Sequence, residues 1–282
     1  MILIADSGSS KTDWRILASD GSIRQAQTIG FNPFYQSQKQ LDTDIREVLL
    51  PQIGEDISSI YYYGAGCSTE TNRKVIRDVL QKYFDHAHIE VWHDLLAAAR
   101  ALCGDQPGIA CIIGTGVNSC YYDGDKIIEN VSSLGYILGD EGSGSHLGRQ
   151  LVADYMRKDL PQEIWDRFLK RYDLNRDQIL EKVYQGEMPG RFLASFSKFI
   201  FQNIKHPYCH RLVYDSFKLF FEKNVMKYDG YDKVPIHFTG SVAFYFNNIL
   251  RQAAGDLSIT IGNMVESPIA GLTLFHQKSI SN

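Results

Sequence analysis

One pattern occurs twice in this chain and restricts its fold more than any other feature. Apolar residues 2–5 run into the small polar turn Asp6-Ser7-Gly8-Ser9-Ser10-Lys11-Thr12, an extended stretch continues to residue 18, and Asp20-Gly21 turns the chain into a third strand near 23–28. From residue 109 the order returns. Apolar residues 109–113 lead into Gly114-Thr115-Gly116-Val117-Asn118-Ser119, then a strand over 119–122, the tight turn Asp123-Gly124-Asp125, and Ile127 with Ile128. Short apolar runs bounded by Gly and Asp read as strands joined by hairpin turns. Two such meanders predict two lobes with similar starts, and 282 residues are enough for both.

Between and after the meanders, strands alternate with helices. Leu41, Ile45, Val48 and Leu49 recur at helical spacing, residues 60–63 and 89–92 read as strands, and helices follow over Val75 to Tyr83 and over 95–102. The expected class is therefore α/β, a sheet covered by helices. Gly104 to Gly108 breaks the pattern. The expected division is a first lobe over 1–106, to which a helix at 269–282 returns, and a second over 107–268 with a helical insertion at about 145–230. In that insertion Asn175 with Gln178 forms a capping box, and the stripes containing Phe192, Phe196, Phe199, Phe220 and Phe221 read as core. Residues 236–238 return to strand, 244–254 to helix and 257–261 to a last strand.

Composition removes several functions. A hydrophobic share of 44% and a charged share of 22% describe a folded protein. A net charge of -4 without a dense Lys/Arg run argues against a nucleic-acid partner. Cys67, Cys103, Cys111, Cys120 and Cys209 are odd in number and have no zinc-type spacing, so they read as reduced thiols of a cytoplasmic protein. The apolar run at 2–5 is too short for a signal peptide or a membrane span, so no membrane partner is expected.

The candidate chemistry lies in the turns. In the first, Gly8, Ser9, Ser10, Lys11 and Thr12 offer backbone N–H groups and hydroxyls to phosphate oxygens, and Asp6 at the strand end suits Mg²⁺ held through water. An ordinary hairpin turn is the competing reading, with Lys11 facing solvent. The turn holding Gly114, Thr115 and Gly116 has the same two readings. Asp94 follows a strand and precedes an Ala-rich helix; it reads as a general base or as that helix's N-cap. Gly139-Asp140-Glu141-Gly142-Ser143-Gly144-Ser145 brings paired acids to a polyhydroxyl ligand or a metal, or it opens a helix capped by Ser143 or Ser145. Paired acids also suggest a glycosidase, but adjacency in sequence does not supply opposed carboxylates. Asn32, before Pro33, and Gly64-Ala65-Gly66 are loop positions able to read a sugar hydroxyl, and Asn-Pro also starts turns.

In motif order the chain resembles the sugar-kinase, actin and heat-shock ATPase superfamily, and within it the N-acetylglucosamine kinase branch that includes the BadF/BcrA-type ATPases. The two glycine turns look like its first and second phosphate motifs. Phe238-Thr239-Gly240-Ser241-Val242-Ala243 looks like its adenosine motif, and Glu266-Ser267-Pro268-Ile269-Ala270-Gly271-Leu272 like its closing motif. The resemblance implies two ribonuclease-H-like lobes facing each other across a nucleotide cleft, with ATP and Mg²⁺ as cofactors, and Gly240 and Ser241 near the nucleoside. It also implies Asp94 as catalytic base and a sugar held by Asn32, Gly64, Ala65, Gly66, Thr115, Asn118, Gly135 and Asp140. The partner it implies is a small-molecule amino sugar, most directly N-acetylglucosamine phosphorylated at O6, and the assembly a homodimer. Leu134-Gly135-Tyr136 departs from the family's Gly-Trp-Gly segment. The second phosphate turn lacks the cysteine of iron–sulfur dehydratase activators. An ATPase that drives a protein partner and a sugar-sensing binding protein remain the two rivals.

Overall fold

A computed structural model describes residues 1–8, 11–34, 36–53 and 56–281. The chain divides into two compact units, Met1–Asp105 with Pro268–Asn282 and Gln106–Ser267. In the first, β1 (Ile2–Ser7), β2 (Lys11–Leu17) and β3 (Ile23–Ile29) form an antiparallel meander, and β4 (Ser59–Gly64) and β5 (His88–His93) extend it in parallel on the other side of β1. The sheet order is β3-β2-β1-β4-β5. In the second, β6 (Gly108–Ile113), β7 (Val117–Tyr122) and β8 (Ile127–Glu129) are the meander, with β9 (Ile236–Thr239) and β10 (Ile261–Val265) added in parallel, giving β10-β9-β6-β7-β8. The order is the same in both units, so the repeated turns of the sequence mark a repeated topology.

Alternation along the strands decides what each sheet buries. Leu3, Ala5, Trp14, Ile16, Ile60, Tyr62, Ile89 and Val91 share one face of the first sheet and pack with Ile45, Leu49, Ile76, Val79 and Leu80 of the helices. Each strand pair places its apolar side chains on the same face, and burial of about 1.5–3 kcal/mol per large side chain drives that packing. The second core joins Ile109, Cys111, Ile113, Ile236 and Phe238 to Leu147, Leu151, Phe217, Phe220 and Phe221. Phe196 and Phe199 are buried there too, as their stripe predicts. The expected capping box forms: Asn175 and Gln178 satisfy each other's backbone N–H groups. None of the five buried cysteines forms a disulfide. Among the described residues no helix is long and apolar enough to cross a membrane.

Three elements differ from expectation. The last strand is Ile261–Val265, not 257–261, because Leu257 and Ile259 pack into the core from the turn that ends the preceding helix. The helix expected over 244–254 is two, Ser241–Tyr245 and Asn247–Asp256. Around Leu41 the helix Gln38–Asp44 passes into a π-helical turn, Ile45–Leu49, before the short helix Leu50–Ile53.

Candidate functional site

In open sheets of this kind, ligands bind beyond the carboxyl ends of the parallel strands. In the first unit those ends belong to β1, β4 and β5, and they carry Asp6, the Gly64 loop and Asp94. In the second they belong to β6, β9 and β10, and they carry Gly114, Gly240 and Glu266.

The turn after β1 is closed by the Gly8 N–H donating to the Lys11 carbonyl at 3.0 Å. Ser9 and Ser10 lie outside the described residues. Ser7 and Thr12 face each other with hydroxyls 2.8 Å apart, and Thr12 donates to the Ile29 carbonyl at 3.0 Å, so the Thr12 hydroxyl holds the meander from inside. The exposed Lys11 ammonium sits 2.7 Å from Asp13. Asp6 is partly exposed, paired in register with Asp13 on one side and Tyr63 on the other. The Ala65 N–H donates to the Ser7 carbonyl at 2.9 Å, which ties the Gly64-Ala65-Gly66 loop to this turn. Gly66 has φ +80°, and a Cβ there would stand 2.3 Å from the Asn32 Oδ1, so the loop approaches Asn32 only as glycine.

Asp94 opens the helix Asp94–Cys103 but does not cap it. His93 does, its Nδ1 accepting the Leu96 N–H at 3.2 Å. That bond requires an unprotonated Nδ1, and burial together with the nearby Arg73 charge holds the His93 pKa below its usual value. The N-cap reading of Asp94 is thereby replaced by a histidine cap. The Asp94 carboxylate keeps some exposure yet is densely surrounded by protein, and this desolvation raises its pKa against the opposing backbone N–H groups of Leu95 and Asp94.

In the second unit the β6–β7 turn is built around its glycines. The Gly114 N–H donates to the Gly116 carbonyl at 3.0 Å, while the Gly144 and Ser145 N–H groups donate to the Gly114 and Thr115 carbonyls at 2.8 and 3.0 Å. Gly114 has open space where a Cβ would lie, so the backbone is approachable there. Thr115 is exposed. Asp140, buried and at φ 58°, accepts the Val117 N–H and the Ser133 hydroxyl, both at 3.3 Å. Its Oδ2 would be 2.8 Å from a Cβ on Gly116, and burial raises its pKa. Asp140 is thus joined to the glycine turn. Ser143 caps the helix Gly144–Arg157 by accepting the His146 N–H. Gly135, at φ 72°, begins the short helix Gly135–Leu138, whose Tyr136 and Ile137 carbonyls are held by Arg149. The Asn118 Oδ1 accepts from the Ser119 N–H and from the Asn130 side chain, each at 3.0 Å. Gly240, at φ 109°, lies against the same turn: a Cβ on it would be 2.4 Å from the Ile113 carbonyl oxygen. Ser241 follows, exposed.

The supporting residues Ser133, Arg149 and Gln36 carry no motif. Gln36 accepts the Asn32 N–H at 2.8 Å. Their only sequence signal is nearness to Asp140, Gly135 and Asn32. Among the described residues no group of three or more His, Cys, Asp or Glu is placed to hold a metal ion.

No protein-family model and no curated protein matches the chain. Two solved structures that share the name "Putative N-acetylglucosamine Kinase" resemble it. The one from Porphyromonas gingivalis is 44% identical, with 99% of each chain covered and a TM-score of 0.93. The one from Chromobacterium violaceum is 18% identical, covers 97% of this chain and 98% of its own, and has a TM-score of 0.69. A ROK hexokinase from Thermus thermophilus, 13% identical with 97% of each chain covered, has a TM-score of 0.53. The last two share the fold, two mixed sheet-and-helix units of the actin and heat-shock ATPase kind. With 44% identity along nearly the whole of both chains, the protein belongs to the family of the Porphyromonas gingivalis protein.

Proposed function

We propose that the protein transfers a phosphoryl group from ATP to an amino sugar, N-acetylglucosamine at O6, with Asp94 as general base. The observation that carries this reading is the state of Asp94. With the helix capped by His93, the Asp94 carboxylate has no side-chain hydrogen-bond partner among the described residues, and its proton affinity is raised by burial. A carboxylate in that state can take the proton of a sugar hydroxyl as its oxygen bonds to phosphorus. Phosphoryl transfer passes through a loose transition state, so positioning the hydroxyl matters more than strong basicity. The named activity of the 44% identical relative supports the same reading.

In this reading the turns Gly8 to Thr12 and Gly114 to Gly116 hold the phosphates, with Thr12 shaping its turn from within. Gly240 and Ser241 lie at the nucleoside. Asn32, Gly64, Ala65, Gly66, Thr115, Asn118, Gly135 and Asp140 hold the sugar. Asp6, with Asp13 opposite it in β2, offers hard oxygen donors of the kind Mg²⁺ takes, and one or two carboxylates with retained waters meet that ion's needs. Bound Mg-ATP supplies the phosphoryl group and the charge that neutralises it. Each unit is assigned as ribonuclease-H-like, and the enzyme as a cytoplasmic homodimer.

The test is ATP turnover against a panel of amino sugars, with the sugar phosphate quantified. Turnover stimulated by N-acetylglucosamine with one sugar 6-phosphate per ADP is expected. ATP hydrolysis indifferent to every sugar, or sugar binding without turnover, would overturn the reading in favour of a partner-driving ATPase or a sugar sensor.

A further inference from the structure

Asn32 is held more completely than a turn residue needs to be. Its N–H donates to the Gln36 Oε1 at 2.8 Å, and its carbonyl accepts the Gln36 N–H at 3.0 Å. Its Oδ1 accepts the Phe34 N–H at 3.0 Å. Gln36 is fixed in turn, its Nε2 donating to the Gly30 carbonyl at 3.0 Å. The amide oxygen also rests against the Gly66 α-carbon, where no side chain would fit, and Asn72 secures the Gly66 carbonyl at 2.7 Å. The side-chain oxygen, the carbonyl and the N–H of Asn32 therefore each hold a hydrogen bond, and the Gly66 α-carbon crowds the side-chain oxygen further. What remains without a partner among the described residues is the Nδ2 amino group, which has donors and no acceptor capacity. The orientation of the amide is not arbitrary, because the Phe34 N–H demands an oxygen opposite it.

Resting on the kinase reading above, we infer that Gln36 and Gly66 are positioning residues that fix the polarity of Asn32, so that it offers the sugar hydrogen-bond donors only. The substrate atom at Nδ2 is then an acceptor, a hydroxyl lone pair or an acyl carbonyl oxygen. A site built this way discriminates against ligands that place a donor there, since two opposed N–H or O–H groups leave both unpaired.

Asn32→Asp separates this from a purely structural role. Aspartate forms the same turn, because one carboxylate oxygen still accepts the Phe34 N–H, while the second oxygen replaces the Nδ2 donors with an acceptor. With N-acetylglucosamine as the varied substrate, N32D is expected to raise the sugar KM on the order of tenfold to hundredfold, leaving the ATP KM and the melting temperature near wild type. Gln36→Ala should raise the sugar KM several-fold with kcat largely retained, and Gln36→Glu, which keeps the acceptor for the Asn32 N–H, should recover part of that loss. An N32D enzyme with unchanged sugar KM, or a Q36A loss confined to thermal stability, overturns the inference while wild-type sugar turnover leaves the kinase reading standing. Absence of sugar-dependent turnover in the wild type overturns both.

Discussion

Asp94 and Gly240 show two ways in which a single residue limits this molecule. Because the Asp94 pKa is raised by burial, a base role for this carboxylate predicts that kcat/KM falls as pH drops through that raised value, above the ordinary carboxylate range. Asp94→Asn is expected to lower kcat by roughly 10²- to 10⁴-fold with ATP affinity preserved; steady-state kinetics beside nucleotide titration decides it, and near-normal turnover would remove Asp94 from the mechanism. Gly240 combines φ 109° with a would-be Cβ 2.4 Å from the Ile113 carbonyl. Gly240→Ala should therefore cost about 1–3 kcal/mol and deform the β6–β7 turn, visible as a lowered melting temperature together with a raised ATP KM. An unaltered variant would show that the two turns do not press on each other. At this scale the sequence was partly legible. Glycines with small polar neighbours announced the turns, and Asp94 at a strand end announced itself. That His93 rather than Asp94 caps the helix was hidden, because both are polar residues at the same boundary and only geometry chooses between them.

Helix and strand boundaries reveal where pattern reading works. The meanders were legible because each strand alternates against a packed face and ends in Gly or Asp. The strand Ile261–Val265 was not, since Gly262 and Asn263 interrupt any alternation; Gly262 is there because a Cβ would lie 2.5 Å from the His237 ring. Leu257 and Ile259 mimicked a strand by burying themselves from a turn whose Ser258 has φ 57°. The π-helical turn Ile45–Leu49 shifts register by one residue, which a 3.6-residue pattern cannot announce. The helix Asp94–Cys103 supplies a prediction of its own. His93→Ala removes its cap and should cost about 1 kcal/mol, and His93→Asn should restore most of it. Urea unfolding of the three proteins at neutral pH measures this, and equal stability of all three would deny the cap.

Each unit as a whole contains a buried neutral histidine. His146 in the second and His276 in the first are both pushed down to about 4, mainly by burial, with Arg149 and Arg100 adding to it. Arg100 donates to the Tyr63 hydroxyl at 2.7 Å, and that hydroxyl shares a hydrogen bond of 2.9 Å with the His276 Nε2. A folded-state value below the unfolded value near 6.5 means that the unfolded chain binds more protons between the two. Stability should be complete above about pH 6.5 and decline as pH falls toward 4, by on the order of 3 kcal/mol per histidine. Asp44, Asp94 and Asp140, raised by burial, act in the opposite sense as pH falls from their raised values through the ordinary carboxylate value. Urea midpoints measured at pH 7 and pH 5 should differ accordingly, and His276→Gln should flatten the dependence; a pH-independent midpoint would contradict it.

The helix Ile269–Ser281 belongs to the unit that starts at Met1, and Gly271 brings it so near the helix Asp94–Cys103 that a Cβ would stand 2.5 Å from the Ala101 carbonyl oxygen. On the ribosome this reverses the usual order of assembly. Domains generally fold N-terminal first as the chain emerges, but here the unit that contains β1 must wait for the helix Ile269–Ser281, while the uninterrupted stretch Gln106–Ser267 can complete itself beforehand. Until the helix Ile269–Ser281 emerges, the side of β1 and β2 against which it packs stays uncovered, and that interval is when a chaperone would have something to hold.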